Sequence, residues 1–316
     1  MALTLAIPSK GRLQEQASEW FADAGLALKQ TTGARGYRAT LKGLPDIDVR
    51  LLSASEIASG LVTGDVHMGI TGEDLIRETA PELSSSVVLI HALGFGYANV
   101  VVAVPQAWID VSTMADLDDV CAAFAHRHRR RLRIATKYTH LTRAFFAHAG
   151  ISDYRIVESA GATEGAPTAG SAEAIVDITT TGATLAANGL KTLEDGTILE
   201  SQAQLAAGVA ADWGADARDA ARALLMRLGA RERAKASHVL RVQLDAAAAE
   251  ALGLEILTRP VGGSGEHTLL CPRDRLMDVT ASLRAKGAGV ATAQEVEYIF
   301  RDSEPLAEKL FSALPA

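Results

Sequence analysis

The 316-residue sequence predicts an α/β protein with two lobes, followed by a smaller α+β domain. Short apolar strands alternate with amphipathic helices from residue 3 onward, and this alternation predicts a largely parallel sheet with helices on both faces. A second series of the same kind begins at "GYANVVVAVP", near residue 97. Residues 237–316 read as strand, helix, strand, strand, helix and strand, which is the ferredoxin-like order.

The first lobe is predicted to contain residues 1–97 and 183–234. Its opening strand, "LTLAI", is followed by the turn "PSKGR" and by a helix whose apolar positions recur at helical spacing. Further strands are predicted over residues 47–52, 66–71 and 87–93. We expect the chain to return to this lobe after Asp177, because "TLAANGL" and "GTILESQAQL" resemble another of its helices and strands. An amphipathic helix from residue 215 to about 236 ends the lobe.

The second lobe is predicted to contain residues 98–182, with strands that alternate with helices as in the first lobe. Its strands are predicted over residues 100–104, 132–136 and 154–157, with a last strand that ends at Asp177. Two lobes joined by two crossings of the chain leave a cleft between them, and such clefts are the usual place for a ligand.

Composition excludes several classes of protein. The net charge of −7 argues against non-specific nucleic-acid binding, which needs a basic surface. The two cysteines lie far apart without metal-like spacing, so neither a disulfide framework nor a zinc site is expected. No run approaches the ~18 apolar residues of a membrane span, and no basic leader precedes an apolar segment. We therefore expect a cytoplasmic protein without a membrane partner.

The stretch "ESAGATEGAPTAGSAEAIVDITTTGATL", Glu158 to Leu185, is the main candidate site. Backbone N–H groups of a loop of small residues can wrap a phosphate without a cationic side chain. Gly161 to Thr168 supplies such a loop, and Thr180 to Thr184 opens a helix whose N-terminus attracts anions. Asp177 ends a strand, where a carboxylate suits ribose hydroxyls or Mg²⁺ beside a pyrophosphate. The alternative is a glycine-rich surface loop with a helix-capping aspartate.

Three further segments carry polar groups at loop positions that face the same cleft. In "PSKGR", Lys10 and Arg12 flank Gly11 at a strand-to-helix turn, where two cations can meet phosphate oxygens. The alternative is a surface turn with two solvated charges. "LSASEIASGLVTG" and "MGITGEDLIRE" each read alone as caps or turns, and they contribute Ser53, Ser55, Glu56, Thr71, Gly72 and Asp74. No serine nucleophile elbow and no Walker loop is present.

The segments "LAIPSKGRL", "GDVHMGITGEDLIRE" and "ESAGATEGAPTAGSAEAIVDITTTGATLAANGL" resemble the ATP phosphoribosyltransferases, which catalyse the first step of histidine biosynthesis. The resemblance covers roughly residues 3 to 205. It implies a two-lobed catalytic core like a periplasmic binding protein, the type IV phosphoribosyltransferase fold. The implied reaction is a Mg²⁺-dependent attack by a ring nitrogen of ATP's adenine on phosphoribosyl diphosphate, which gives phosphoribosyl-ATP and pyrophosphate. The wider phosphoribosyltransferases carry a second acid after the aspartate, where this chain has Ile178.

The resemblance also implies roles for individual residues. The catalytic residues would be Asp177, Lys10 and Arg12. Phosphoribosyl diphosphate would be bound by Glu158, Gly161, Ala162, Thr163, Glu164, Gly165, Ala166, Asp177, Thr180, Thr181, Gly182 and Thr184. ATP would be bound by Gly11, Arg12, Ser53, Ser55, Glu56, Gly72 and Asp74. No protein ligand is assigned to Mg²⁺, which the substrate phosphates would mainly hold.

Two departures from the family pattern matter. Many members carry Arg-x-x-Asp-Ile-Pro where this chain reads "SASEIA", from residue 53, so the ATP contacts are less well defined. The tail is similar to the regulatory domain of the long form, which binds histidine and supports hexamers, but "RPVGGSGEHTLLCP" stands where Ser-Pro-Thr is usual. The sequence of the catalytic core is closer to the short-form enzymes of the family, which work with a synthetase-like partner subunit. We expect a homo-oligomer, hexamer or dimer, with histidine as a feedback inhibitor. The alternative is that the chain is a non-catalytic two-lobed protein, either one that binds a small anion or a regulatory protein.

Overall fold

The structure is a computed structural model, and it describes residues 2–30, 37–159, 161–262 and 264–315. Up to residue 92 the strands are β1 (Thr4–Pro8), β2 (Leu28–Gln30), β3 (Arg38–Leu41), β4 (Leu44–Leu52), β5 (Met68–Gly72) and β6 (Val87–Ala92). The helices of this part are α1 (Gly11–Asp23), α2 (Ala54–Thr63), α3 (Glu73–Thr79) and α4 (Leu83–Ser86).

The middle of the chain continues the alternation. Its strands are β7 (Asn99–Pro105), β8 (Leu132–Thr136), β9 (Tyr154–Glu158), β10 (Ala174–Thr179), β11 (Leu190–Leu199) and β12 (Ala203–Gly208). Its helices are α5 (Met114–His128), α6 (Thr139–His148), α7 (Ala183–Ala187) and α8 (Ala215–Ala236). The tail contains the strands β13 (Ser237–Asp245), β14 (Glu255–Thr258), β15 (Ser264–Pro272) and β16 (Ala291–Gln294), and the helices α9 (Ala246–Glu250), α10 (Leu276–Ala285) and α11 (Pro305–Ala313).

The first lobe is built on a seven-stranded sheet in the order β2-β3-β4-β1-β5-β12-β6. Its centre is parallel, with β1 pairing β4 and β5 in the same direction. The strand β12 returns antiparallel between β5 and β6. Leu5 and Ile7 of β1 are fully buried in the core of this lobe, and burying each of them contributes roughly 1.5–3 kcal/mol.

The second lobe is built on a five-stranded sheet in the order β11-β7-β10-β8-β9. The strands β8, β9 and β10 are parallel, and β7 runs antiparallel to β10 with Thr179 opposite Asn99. The end of β10 therefore lies beside the start of β7, where the chain has just crossed from the first lobe. It crosses back between β11 and β12. The prediction of a two-lobed core like a periplasmic binding protein is confirmed.

The segment that follows β10 differs from the sequence expectation. We expected residues 183–199 to belong to the first lobe, but β11 pairs with β7 of the second sheet, with Leu190 opposite Pro105. The reason is burial: Leu185 and Leu190 pack with Val101 and Ile175 in a core cluster of the second lobe. Only the end of "GTILESQAQL" reaches the first sheet, as the start of β12.

The tail has the ferredoxin-like fold that its element order predicts, with a four-stranded sheet in the order β14-β15-β13-β16. The predicted last strand, "EVEYIF", is wrong, because β16 ends at Gln294 and residues 295–300 form no strand.

No sequence pattern indicated that α11 leaves this domain. Leu310 and Leu314 are buried in the core of the first lobe, and Glu304 pairs with Arg233 of α8 at 2.6 Å.

Within the described residues, no helix is both long enough and apolar enough to span a membrane.

Candidate active site

The carboxyl ends of β8, β9 and β10 place the candidate site at one edge of the second sheet. The loop after β9 is built rather than loose. Thr163 is buried and its hydroxyl donates to the Ser159 hydroxyl at 3.1 Å, while the Ser159 hydroxyl donates to the Gly161 carbonyl at 3.3 Å. Ala162 has a φ of +51°, a left-handed conformation that costs a non-glycine residue roughly 1–3 kcal/mol. Such local strain is typical of functional loops.

The glycines of this loop leave its backbone open. Gly161 and Gly165 have no positive φ, and a Cβ added at either would meet no atom within 4 Å. Neither backbone conformation nor packing within the described chain therefore requires glycine at these two positions. The missing side chains leave room for a ligand to approach the main-chain N–H groups. Glu164 and Ala166 complete the loop, with Ala166 buried and Glu158 exposed before it.

The second predicted phosphate segment, residues 180–184, is a compact turn. The Thr179 hydroxyl accepts from the Gly182 N–H at 2.8 Å, and the Thr181 hydroxyl accepts from the Ala183 N–H at 3.4 Å. Gly182 has a φ of +75°, which explains the glycine there. Thr184 is exposed on α7, which has only five residues. Because so short a helix aligns few peptide dipoles, the expected attraction of an anion to its N-terminus is weak.

Asp177 lies within β10, one residue before Ile178, and its carboxylate accepts the Ile178 N–H at 2.8 Å. Partial burial raises the pKa of Asp177 above its ordinary value. The positive charge of Lys137 lowers this pKa, and the negative charge of Glu164 raises it. Both side chains therefore lie near the Asp177 carboxylate. The sequence reasoning missed Lys137, although its place directly after the strand "LRIAT" was a usable signal.

The predicted cations of the first lobe follow β1. Lys10 and Arg12 are both exposed, and Gly11 between them has a φ of +77°. Arg12 lines a cavity of about 410 Å³ together with Tyr97 and Thr180. The Thr180 hydroxyl donates to the Tyr97 carbonyl at 3.0 Å. The structure thus brings a cation of the first lobe to the threonine turn of the second.

Three of the predicted ATP residues lie at the start of α2. The Ser53 hydroxyl accepts the Glu56 N–H at 3.3 Å, and the Glu56 carboxylate accepts the Ser53 N–H at 2.8 Å, which is a capping box. The Ser53 hydroxyl and the Ser53 N–H both act on the Glu56 carboxylate and lower the pKa of Glu56. Ser55 is exposed and lines a different cavity, with Arg50 and Asp65. The structure does not bring these residues to the cavity that Arg12 lines.

Asp74 and Gly72 belong to a buried contact between the lobes. Asp74 is 4% exposed, and the Tyr138 hydroxyl of the second lobe donates to its carboxylate at 2.6 Å. The Ser201 hydroxyl, on the returning crossing, donates to the same carboxylate at 3.0 Å and accepts the Asp74 N–H. We call Asp74, Tyr138 and Ser201 the inter-lobe clasp. Gly72 makes room for it, since a Cβ there would lie 2.2 Å from the Asp74 carboxylate.

A second contact joins α3 to α6. The Glu78 carboxylate accepts the N–H groups of His140 and Leu141 at 2.9 and 3.0 Å, and the Thr139 hydroxyl at 3.1 Å. A carboxylate at this place caps the helix and suits its dipole. Together with the clasp, it fixes how α3 of one lobe meets the second lobe.

The residues that the structure describes include no group of three or more His, Cys, Asp or Glu side chains arranged to hold a metal ion. Asp177 and Glu164 are two carboxylates near one another at the strand edge. This donor set fits an ion that a polyphosphate holds through most of its ligands, with at most a carboxylate added by the protein.

The chain is similar to known transferases in sequence. The family model described as "HisG: ATP phosphoribosyltransferase" matches residues 53–230. A curated ATP phosphoribosyltransferase from Nitrobacter winogradskyi is 55% identical over 98% of this chain and 97% of its own length. Another, from Bradyrhizobium diazoefficiens, is 55% identical over 97% of this chain and 96% of its own length. The chain is thus an enzyme of the pentosyltransferase class.

A solved structure agrees. The ATP phosphoribosyl transferase (HisG:HisZ) complex from Thermotoga maritima contains a chain that superposes with a TM-score of 0.54 at 25% identity. The match covers 72% of this chain and 95% of that one. This chain belongs to the ATP phosphoribosyltransferase family, whose name places it in histidine biosynthesis.

The clasp leads to a prediction about stability. Tyr138→Phe removes the hydroxyl that pairs with the buried Asp74 carboxylate, and we expect a loss of about 1–3 kcal/mol in the free energy of unfolding. Urea denaturation followed by circular dichroism measures it. Tyr154→Phe, which removes a partly exposed hydroxyl from the same lobe, is the matched control. Equal stability of the two variants would contradict the role of the clasp.

Proposed function

We propose that this protein transfers the phosphoribosyl group of phosphoribosyl diphosphate to a ring nitrogen of ATP's adenine, with Mg²⁺, in the cytoplasm. The products are phosphoribosyl-ATP and pyrophosphate. The observation that carries the proposal is the pairing of an open glycine loop with Asp177 at one strand edge, in a chain of this family. A larger cavity, of about 1170 Å³, lies elsewhere, and its lining includes Asp46, Asp48, Asp219 and Arg38 but none of the predicted site residues.

The second lobe would hold the donor sugar. The N–H groups of Gly161 to Glu164 would surround its 5-phosphate, with Glu158 and Glu164 on the ribose side. The N–H groups of Gly165 and Ala166 already donate to the Ala162 and Thr163 carbonyls. Asp177 would accept hydrogen bonds from ribose hydroxyls, which a carboxylate does well. In the threonine turn, residues 180–184, the exposed hydroxyls of Thr181 and Thr184 would complete the phosphate shell, since the Gly182 and Ala183 N–H groups already donate within the turn. The protein binds and orients here, and no side chain is needed as a nucleophile.

The first lobe would stabilise the leaving group. As the bond between the anomeric carbon and pyrophosphate breaks, its electron pair leaves with pyrophosphate, and the adenine lone pair forms the new bond. Lys10 and Arg12 would neutralise the charge that develops on pyrophosphate oxygens. Mg²⁺ would supply further neutralisation of the same diphosphate. Electrostatic stabilisation of this kind commonly makes the greatest single contribution to catalysis.

On the ATP side, we propose that Gly11 and Arg12 contact ATP, whereas most of the remaining predicted residues make other contacts within the protein. Ser53 and Glu56 cap a helix, while Gly72 and Asp74 hold the inter-lobe clasp. Ser55 is exposed but lines the separate cavity beside Arg50. We propose that ATP lies against the cavity of Arg12 and Tyr97, where the two lobes meet.

The decisive test is an ultraviolet assay for the phosphoribosyl-adenine chromophore, with both substrates and Mg²⁺. Formation of product together with pyrophosphate is expected. A non-catalytic anion-binding protein of the same fold would bind phosphoribosyl diphosphate in calorimetry and form no product, and that result would overturn the proposal.

Asp177→Asn should separate function from stability. We expect turnover to fall by about 100-fold or more, because the carboxylate that orients ribose is lost. The variant should also be more stable than the parent at pH 7. Since the pKa of Asp177 is raised in the folded state, its ionisation opposes folding above that pKa.

The pH dependence tests the sign of this effect. The gain in melting temperature should shrink as pH falls through the raised folded pKa towards the ordinary aspartate value of 3.8, because the folded carboxyl then becomes protonated and its ionisation no longer opposes folding. Thermal melts at pH 7 and pH 4 measure it. Near-normal turnover, or a variant less stable at pH 7, would count against the assignment.

Gly161→Val should weaken binding of the donor by about tenfold or more, a loss of roughly 1.4 kcal/mol, because the side chain fills the space the phosphate needs. The fold should be unaffected, since a Cβ at this position meets nothing within 4 Å. Gly289→Val is the matched control, as it also lies in open space, in the tail domain. Calorimetry with phosphoribosyl diphosphate and Mg²⁺ measures the affinity, and an unchanged value would place the phosphate elsewhere.

We also propose that the tail domain binds histidine and that the chain forms a homo-oligomer, hexamer or dimer. Its ferredoxin-like order supports this proposal, and α11 ties the domain back to the first lobe. Histidine titrated into the assay should lower the rate, whereas alanine at the same concentration should not. Light scattering with and without histidine gives the size of the assembly. Full activity at saturating histidine would exclude feedback.

A further inference from the structure

The candidate phosphate site in the second lobe lacks a positive charge of its own. The stretch from Glu158 to Leu185 contains no lysine or arginine, and it contributes the carboxylates of Glu164 and Asp177 to one edge of the sheet. A phosphorylated sugar brought there meets like charges. Backbone N–H groups alone offset this only in part, so a cation from another segment of the same lobe would help.

The register of the parallel strands points to Lys137. Ile175 of β10 lies beside Ala135 of β8, so two residues further on Asp177 lies at the level of Lys137. Because the two strands are parallel, both residues are at the same edge. The charge of Lys137 lowers the pKa of Asp177, which is consistent with this register.

The surroundings of Lys137 include one aromatic ring and the Asp177 carboxylate, on which its charge acts. Its ammonium lies 4.8 Å from the centroid of the Tyr138 ring, a cation–π contact. Tyr138 is fully buried and held by Asp74 of the clasp. Among the described residues, Lys137 forms no ion pair with a carboxylate, and the side chain is exposed.

Two other cations of the lobe are already paired with a carboxylate. Arg130 and Arg133 both pair with Glu173, at 2.9 and 2.7 Å, and Arg133 also donates to the Gly170 carbonyl. These pairs lower the pKa of Glu173 to about 2, although its burial acts the other way. Lys10 and Arg12 belong to the other lobe. Among these five cations, Lys137 is the one that belongs to the donor lobe, follows β8 at the strand edge of Asp177 and is not paired with Glu173.

We propose that Lys137 is a further substrate-contacting residue, whose ammonium binds a phosphate oxygen of the phosphorylated sugar held beside Asp177. This inference rests on the proposed function for its substrate. The oxygen belongs either to the 5-phosphate or to the diphosphate, and the two sources share the same chemistry. Lysine suits both, as a compact point charge on a flexible stem.

The test uses Lys137→Met, which keeps most of the stem and removes the charge, and Lys137→Arg, which restores a charge. Calorimetry with phosphoribosyl diphosphate and Mg²⁺ should show binding about 10- to 100-fold weaker for the methionine variant, since a charge-assisted hydrogen bond is lost. The arginine variant should recover most of the affinity. The KM for ATP should change by less than about twofold, because the substitution removes a contact to the donor sugar and none to ATP. Lys42→Met, which removes an exposed lysine from the turn between β3 and β4, is the matched control.

Two further probes identify the phosphate. Weaker binding of ribose 5-phosphate by Lys137→Met assigns the contact to the 5-phosphate, and weaker binding of pyrophosphate with Mg²⁺ assigns it to the diphosphate. Either result supports the inference. Unchanged affinity for the donor and for both probes, in a variant with the parent's melting temperature, would overturn it.

The same data separate this inference from the proposed function. If the parent binds the donor but makes no phosphoribosyl-ATP, the reaction is wrong, and weaker binding by Lys137→Met still upholds the contact. If the parent is active and Lys137→Met binds and reacts as the parent does, only the inference fails. If the parent binds none of the three probes, both fail.

Discussion

The contact between α3 and α6 is the constraint on which the arrangement of the candidate site depends. Arg12 follows β1 of the first lobe and Thr180 follows β10 of the second, so the cavity that they line together depends on how the lobes meet. The Asp74 carboxylate accepts hydrogen bonds from the hydroxyls of Tyr138 and Ser201, and the Glu78 carboxylate caps the nearby helix α6. A buried carboxylate is costly unless it is fully hydrogen-bonded, and this one is stabilised only while both lobes and the returning crossing stay in place.

The candidate site itself is less stable than its surroundings. Ala162 adopts a left-handed conformation, and the partly buried Asp177 carboxylate accepts a hydrogen bond from the Ile178 N–H next to it in the chain. Gly161 and Gly165 pack against nothing nearby. Each feature costs free energy or forgoes stabilisation in the free protein. Backbone strain and unfilled space of this kind are expected at positions where the residue type serves ligand binding rather than folding.

The tail domain is connected to the first lobe at both ends. The helix α8 runs directly into β13, and after β16 the chain returns so that α11 packs on the same core. Glu304 and Arg233 form a largely buried pair at this return. A domain held at two points cannot shift without disturbing α8 or α11, so a ligand of the tail has a direct mechanical connection to the lobe that carries Lys10 and Arg12.

Much of this protein was determined by local sequence patterns. The alternation of strands and helices, the long helix α8, the ferredoxin-like order and the open loop around Gly161 could all be read from periodicity and from small residues, because these depend on neighbours in the chain. Only the tertiary structure decided that β11 joins the second sheet, that Asp74 belongs to a clasp between lobes, that Lys137 lies level with Asp177, and that α11 packs on the first lobe. Those outcomes depend on which distant segments share a core or a strand edge, and that is settled by the burial of apolar side chains across the whole chain rather than by any one stretch.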